Sequence, residues 1–285
     1  MPDTATRKAI GDKASEAVRL RGEAWKLRDE AFELLEKMVG IQEGIDLFSR
    51  LERSGEVKLS DVLQNRSRLD ADSYVGPIGA VDGFVSSCEW DYLGELVEDV
   101  VEPNRFKRFY GKSGIPFVGI SELFDVNATP TKHIYPKLIK GWQKFMLEPG
   151  TLIIARSGQK YGILGRVLML TENHRGMMGS DHLTRIIPDN NKARAGYLLT
   201  FLNDPRIGRP SVVRQAFGTS IPELCPADIK KIRIPRLGAD IESTVADLMD
   251  RSVRTSAKAD RLENEATRLA QEQIDIAIGE IASDT

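Results

Sequence analysis

The sequence predicts an α+β protein, one mixed α/β globule flanked by two long heptad-patterned helices that form a coiled-coil-like spacer. Three observations predict it. Both ends of the 285-residue chain run for more than thirty residues without proline and carry apolar side chains every seventh position. Twelve of the thirteen prolines fall between residues 45 and 237. Charge is segregated: Val100 to Arg236 holds 22 Lys and Arg against 10 Asp and Glu, while the remainder holds 18 basic and 32 acidic residues.

The first helix is expected from about Thr6 to Val39, within a 1–44 spacer region. Val18, Trp25, Phe32 and Val39 form one heptad row, Ala17, Ala24, Ala31 and Met38 the next, with Ala14 and Leu35 on a third. Gly40 and Gly44 mark its end. The globule is expected over 45–237. Its apolar runs between turn signals predict strands at Ile115–Ile120, Thr151–Ala155, Gly162–Leu170, Leu183–Ile187 and Ile232–Pro235, and Leu198–Asn203 predicts part of a helix. The region 238–285 predicts the second long helix, over Asp240–Ala282, a rod of about 64 Å at 1.5 Å per residue. One of its rows is Ile241, Leu248, Thr255, Leu262, Leu269 and Ile276. The other, Val245, Ser252, Ala259, Ala266, Gln273 and Glu280, is mostly small or polar and calls for a helix at close approach. The first helix is the simplest partner, antiparallel, within one chain or across two.

A 41% hydrophobic and 29% charged composition can bury a core and excludes disorder. Cys88 and Cys225 form no C-x-x-C pair, so a zinc ribbon, a redox pair and a disulfide scaffold are not expected. Met1–Leu20 has no apolar signal region, and no run approaches the roughly 18 residues of a membrane span. A cytoplasmic protein is the expectation.

No catalytic residue and no metal ligand is expected. His133, His174 and His182 lack ligand spacing. The phosphate-loop, dinucleotide and nucleophile-elbow glycine motifs are absent. Gly179–His182 reads as a turn into a strand rather than a triad, whose members come from separate loops.

The binding signals are richer. Arg105–Lys112 sets four cations among three aromatics, a pattern that suits phosphates and stacking. Lys132, His133, Lys137, Lys140 and Lys144 form a second cluster. Ala155–Gly162 is a glycine-bounded loop offering Arg156, Ser157, Gln159, Lys160 and Tyr161, and Arg and Gln are the side chains that read guanine and adenine edges. Arg214–Thr219 is another donor-bearing loop, and Lys230, Lys231, Arg233 and Arg236 close the basic stretch. On a segment of net positive charge these features point to nucleic-acid binding. The competing reading is a coiled-coil scaffold whose basic globule binds an acidic protein partner.

Several stretches resemble the target recognition domain of the specificity (S) subunit of type I restriction–modification enzymes. Gly114–Val118 followed by Ile120–Leu123 is similar to the family's G-x-P-F-x…D-L opening strand. Leu147–Gly158 with Gly162 and Gly165 resembles its G-D-I-L…S-G…G hairpin, and Ser180–Ile186 the strand that follows. Gly218–Leu224 with Ile229–Pro235 resembles the closing segment that leads into a long helix. The resemblance covers roughly residues 60–282. It implies a DNA-binding subunit without chemistry of its own and without a cofactor. Such a subunit brings double-stranded DNA to adenine-N6 methyltransferase (modification) subunits that carry S-adenosylmethionine, and to a motor-nuclease (restriction) subunit. The chain departs from the family pattern by having a single recognition domain, which resembles half of an S subunit, so the resemblance implies a homodimer through the long helices and a bipartite site. A methyltransferase or nuclease in its own right is disfavoured by the missing Asn/Asp-Pro-Pro-Tyr/Phe and Pro-Asp…Glu-x-Lys motifs. Arg156, Ser157, Gln159 and Lys160 are the expected base readers. Arg105, Lys107, Arg108, Lys112, Lys132 and Arg214 are the expected phosphate contacts.

Overall fold

The computed structural model describes residues 4–41, 56–64, 68–70, 74, 81, 84–85, 87–160, 162–218 and 220–283. Gly44, the start of the globule at 45, Tyr161 and Thr219 lie outside the described residues.

The elements run α1 (Thr4–Val39), α2 (Leu59–Gln64), β1 (Glu89–Tyr92), α3 (Leu93–Leu96), β2 (Val97–Val101), β3 (Tyr110–Gly111), β4 (Ile115–Val118), α4 (Ile120–Leu123) and β5 (Lys132–Ile134). They continue with β6 (Leu152–Ala155), β7 (Val167–Met169), β8 (Met178–Gly179), β9 (Leu183–Pro188), α5 (Ala195–Asn203), α6 (Gly208–Arg214), α7 (Pro226–Ile229), β10 (Arg233–Arg236) and α8 (Ala239–Ser283). The protein is mixed α+β, with a long helix at each end of a sheet-containing globule.

α1 stops at Gly40, whose φ of 90° only glycine adopts without strain. There Gly40 N–H donates to Lys37 O (3.2 Å) and Ile41 N–H to Glu36 O (2.9 Å), which caps the last carbonyls. α1 and α8 lie antiparallel within the chain. Lys13 meets Glu265 at 2.5 Å, Arg21 meets Asp260 at 2.8 Å, and Ser252 Oγ donates to Ala24 O at 2.7 Å. The seam is Ala17, Ala24 and Ala31 with Leu20 and Leu27, against Val245, Ser252, Ala259 and Ala266. The small row of α8 therefore makes the close approach its sequence calls for. The larger row of α1 does not join it. Val18 is 72% and Trp25 54% exposed, and only Phe32 and Val39 from that row reach the core. Their bulk would hold the backbones apart, whereas the alanines let a serine hydroxyl reach across.

Three sheets build the globule. β1 and β10 pair antiparallel, Glu89 opposite Arg236, so the ends of the globule meet where α8 begins. A four-stranded antiparallel sheet has the order β2-β9-β6-β7. The third has the order β3-β5-β4-β8, with β4 and β8 parallel. β6 is buried on both faces, and its alternation decides which core each side chain enters. Leu152 and Ile154 join the main core with α5, the end of α1 and the start of α8, while Ile153 joins Val118, Leu123, Leu147 and Leu183.

Strands occur within four of the expected runs, and α5 contains Leu198–Asn203. The run Gly162–Leu170 differs: only Val167–Met169 is strand, and Gly162–Gly165 turns. Gly165 has a φ of 71°, and a Cβ there would lie 2.7 Å from Val212. α6 contains Pro210 in its first turn, where the missing N–H has no helical acceptor to lose. A Cβ on Gly208 would overlap the Phe201 carbonyl, so α5 and α6 meet backbone to backbone. No helix among the described residues is long and apolar enough to cross a membrane.

Candidate nucleic-acid interface

The lobe built on the third sheet carries the densest positive charge. Phe106 turns inward, its ring 4.2 Å from Phe145 and 6.4 Å from Phe117, and Tyr110 lies 5.8 Å from Phe117. Arg105 and Lys107 on either side of Phe106 are exposed. Tyr135 N–H donates to Phe109 O at 2.9 Å, which stitches this segment to the Tyr135–Phe145 stretch. That stretch forms two short 3₁₀ turns with exposed Lys137, Lys140 and Lys144. Lys107 lies 5.4 Å above Phe109 and Lys144 5.1 Å above Phe145. Exposed Lys112 sits in the turn from β3 to β4.

Between Arg105 and Lys144 there are eight Lys and Arg and two acids. Lys132 pairs with Glu122 at 3.4 Å. Arg108 donates to buried Asp181 at 2.6 Å and covers the Phe117 ring at 5.7 Å. Burial works to raise the Asp181 carboxyl, but hydrogen bonds from Arg108 and from backbone, with the Arg108 charge, hold it below the usual range. Arg108 thus also ties this lobe to the turn before β9. Among the described residues, Arg105, Lys107, Lys112, Lys137, Lys140 and Lys144 have no carboxylate partner.

Two loops lie side by side near this lobe. The first leaves β6 at Arg156, and the second follows α6 and runs from Gln215 to Leu224. Leu224 N–H donates to Arg156 O at 2.9 Å. Phe217 and Glu223 exchange both backbone hydrogen bonds, at 3.0 and 2.8 Å, and Ser157 pairs with Glu223 as an antiparallel bridge. Arg156, one of the expected base readers, lies inside the fold. It is 8% exposed, and its guanidinium contacts Glu102 and, at 3.3 Å, Glu223. It joins three segments from inside the fold. Gln159 is exposed, and Ser157 and Lys160 are half-buried. Arg214, half-buried at the end of α6, presents its carbonyl to Arg68 Nη1 at 2.9 Å. Arg68 Nη2 also donates to Ala216 O at 2.8 Å. Glu102 lies three residues before Arg105, so the Arg156 contact links the loops to the cationic lobe.

The remaining cations serve other ends. Arg194 reaches Asp247 and Asp250 on α8 at 2.8 and 2.6 Å. Arg206 reaches Glu36 on α1 at 2.5 Å. Arg236 holds Asp91 and Glu242 at 2.6 and 3.0 Å. Arg185 is buried, donates to Phe145 O at 3.0 Å, and is pulled down to about 10 by burial. Part of the positive charge therefore clamps the acidic helices. Ionic pattern along the chain could not separate these arginines from the exposed ones, because pairing depends on tertiary neighbours.

His174 is buried and accepts Thr171 N–H at 3.0 Å, and burial lowers its pKa. Among the described residues no three His, Cys, Asp or Glu side chains gather as a metal site.

No protein-family model matches this sequence, and no curated protein matches it. Solved structures that align with this chain include the HsdS subunit from Thermoanaerobacter tengcongensis, at 17% identity and a TM-score of 0.38, over 96% of this chain and 58% of that one. The S subunit of a type I restriction-modification system from M. genitalium aligns at 13% identity and a TM-score of 0.44, over 96% and 60%. A chain from a structure on complex assembly and conformational transition of the type I R-M system aligns at 14% and 0.43, over 95% and 57%. The chain spans under two thirds of the length of each.

Proposed function

We propose that this chain is a non-catalytic, DNA-sequence-reading specificity subunit of a type I restriction–modification complex. The observation that carries the reading is the lobe of six exposed cations without carboxylate partners among the described residues, Arg105, Lys107, Lys112, Lys137, Lys140 and Lys144, beside two loops pinned to each other. Lysines and arginines arranged this way neutralise backbone phosphates, and loops that offer Gln159 and Ser157 suit base edges. The likeness in sequence motifs to the S-subunit recognition domain supports the same assignment. In this reading the chain delivers duplex DNA to adenine-N6 methyltransferase subunits that carry S-adenosylmethionine, and to a restriction subunit.

A bipartite site requires a second recognition domain. A second copy of this chain supplies it in this reading, joined along the outward row of Val18 and Trp25, since the inner seam is filled within the chain. Light scattering of wild type and Trp25→Ser checks this part by mass.

The test of the central reading is affinity for mixed-sequence duplex DNA over a salt series. Binding that falls steeply and linearly in a log–log plot is expected. Binding to an acidic protein but not to duplex DNA would overturn it.

A further inference from the structure

The loop after α6 ends in an apolar tip. Phe217 is 45% and Ile221 66% exposed. The exposure is not fraying, because both ends of the tip are fixed. Ala216, Pro222 and Leu224 are buried, Phe217 and Glu223 exchange two backbone hydrogen bonds, and Glu223 is held by buried Arg156. Gly218 takes a φ of 114°, which side-chain-bearing residues rarely adopt, so the turn that presents the tip is specified by the sequence. The surroundings are hydrogen-bonding: Gln159 and Lys160 stand on the neighbouring loop, Arg68, paired with Asp70, donates to the Arg214 and Ala216 carbonyls just before the tip, and Glu223 faces Arg156. Two fixed apolar side chains among such groups suit a polyanion that carries apolar points on its edge.

Duplex DNA carries such points in the major groove. The thymine C5-methyl is the one apolar group among base edges that otherwise show only donors and acceptors. We propose that Phe217 and Ile221 read thymine methyl groups, so that the sequence recognised by this chain contains thymine at positions these two residues determine. The inference rests on the DNA-reading function proposed above. It adds an apolar component to the polar readout by Ser157 and Gln159.

The experiment selects binding sites from a randomised duplex pool with the full chain, as wild type, Phe217→Ala and Ile221→Ser. The selected wild-type duplex is then remade with deoxyuridine for thymine, one position at a time. Wild type is expected to select thymine at one or more positions and to lose roughly fourfold in affinity for each contacted methyl removed. The variants are expected to lose the preference there and to be indifferent to deoxyuridine. Ile221 is largely exposed, so its serine variant keeps the test sound if Phe217→Ala fails to fold. Selection of a motif without thymine, selection of no motif, or variants that keep the thymine preference would overturn the inference while leaving duplex binding intact. Failure of wild type to bind any duplex would instead overturn the DNA-reading function, and this inference with it.

Discussion

The hydroxyl of Ser252 on α8 donates to the backbone carbonyl of Ala24 on α1 at 2.7 Å. A side chain as short as serine reaches a facing helix backbone only where both helices carry small residues. Ala24→Leu is therefore expected to overpack the seam and lower stability by about 1–3 kcal/mol. Glu30→Gln, exposed on α1 away from both rows, is expected to change stability by no more than about 0.5 kcal/mol. Thermal melts of the two variants beside wild type check the register of the pair.

Lys137, Lys140 and Lys144 stand exposed on the cationic lobe. Replacing each with Ala is expected to weaken binding of all duplex sequences alike and to make the salt slope shallower by about one per lost phosphate contact. Gln159→Ala is expected instead to relax specificity at a single position, by about 1–3 kcal/mol. Titrations on several duplexes over a salt series separate the two behaviours.

Arg156 holds Glu102 and Glu223 together from a buried position. Arg156→Ala leaves two carboxylates facing each other without their cation. A stability loss of about 1–3 kcal/mol is expected, read as a shifted urea midpoint. Arg156→Lys is expected to recover little, since one ammonium cannot replace the planar fork that reaches both acids. Because Arg156 is buried between those two acids, any loss of DNA affinity in Arg156→Ala is expected to be equal on all sequences.

Asp204 is buried, and its Oδ1 accepts the backbone N–H groups of Arg206 and Ile207, both at 2.9 Å. Burial pushes its carboxyl up to about 7, opposed by the Ile207 N–H and reinforced by nearby Glu36. The unfolded chain titrates near 4, so the folded state keeps a proton that the unfolded state has lost. Stability from this group is full below about pH 4 and is lost as pH rises to about 7. Asp204→Asn keeps the accepting oxygen and cannot ionise. Its stability relative to wild type is expected to rise between pH 4 and 7 and to level off above. Urea midpoints across that range check the direction.

Much of the fold could be read along the chain because its signals are local. Heptad spacing and absence of proline mark α1 and α8, and the apolar runs at Ile115–Val118, Leu152–Ala155 and Leu183–Ile187 are strands. The strands β1, β2, β3, β5 and β8 are not among those expected; β3 and β8, of two residues each, carry no periodicity and exist only through their pairing with β5 and β4. α6 escaped notice because Pro210 signals a break, yet in a first turn it breaks nothing.

The chain's own residues determined the architecture of two rods around a basic globule, the small-residue row that seats one rod on the other, and the loops rich in hydrogen-bond donors. Only the tertiary structure decided which charges face outward. Arg156, Arg194, Arg206 and Arg236 meet carboxylates remote in sequence, whereas the lysines from Lys137 to Lys144 meet none among the described residues. It also decided that Trp25 faces outward while Ala24 lies in the seam. The physical reason is common to both. A periodic pattern states that a side chain is apolar or charged, but its burial and its partner are set by atoms that folding brings from elsewhere in the chain.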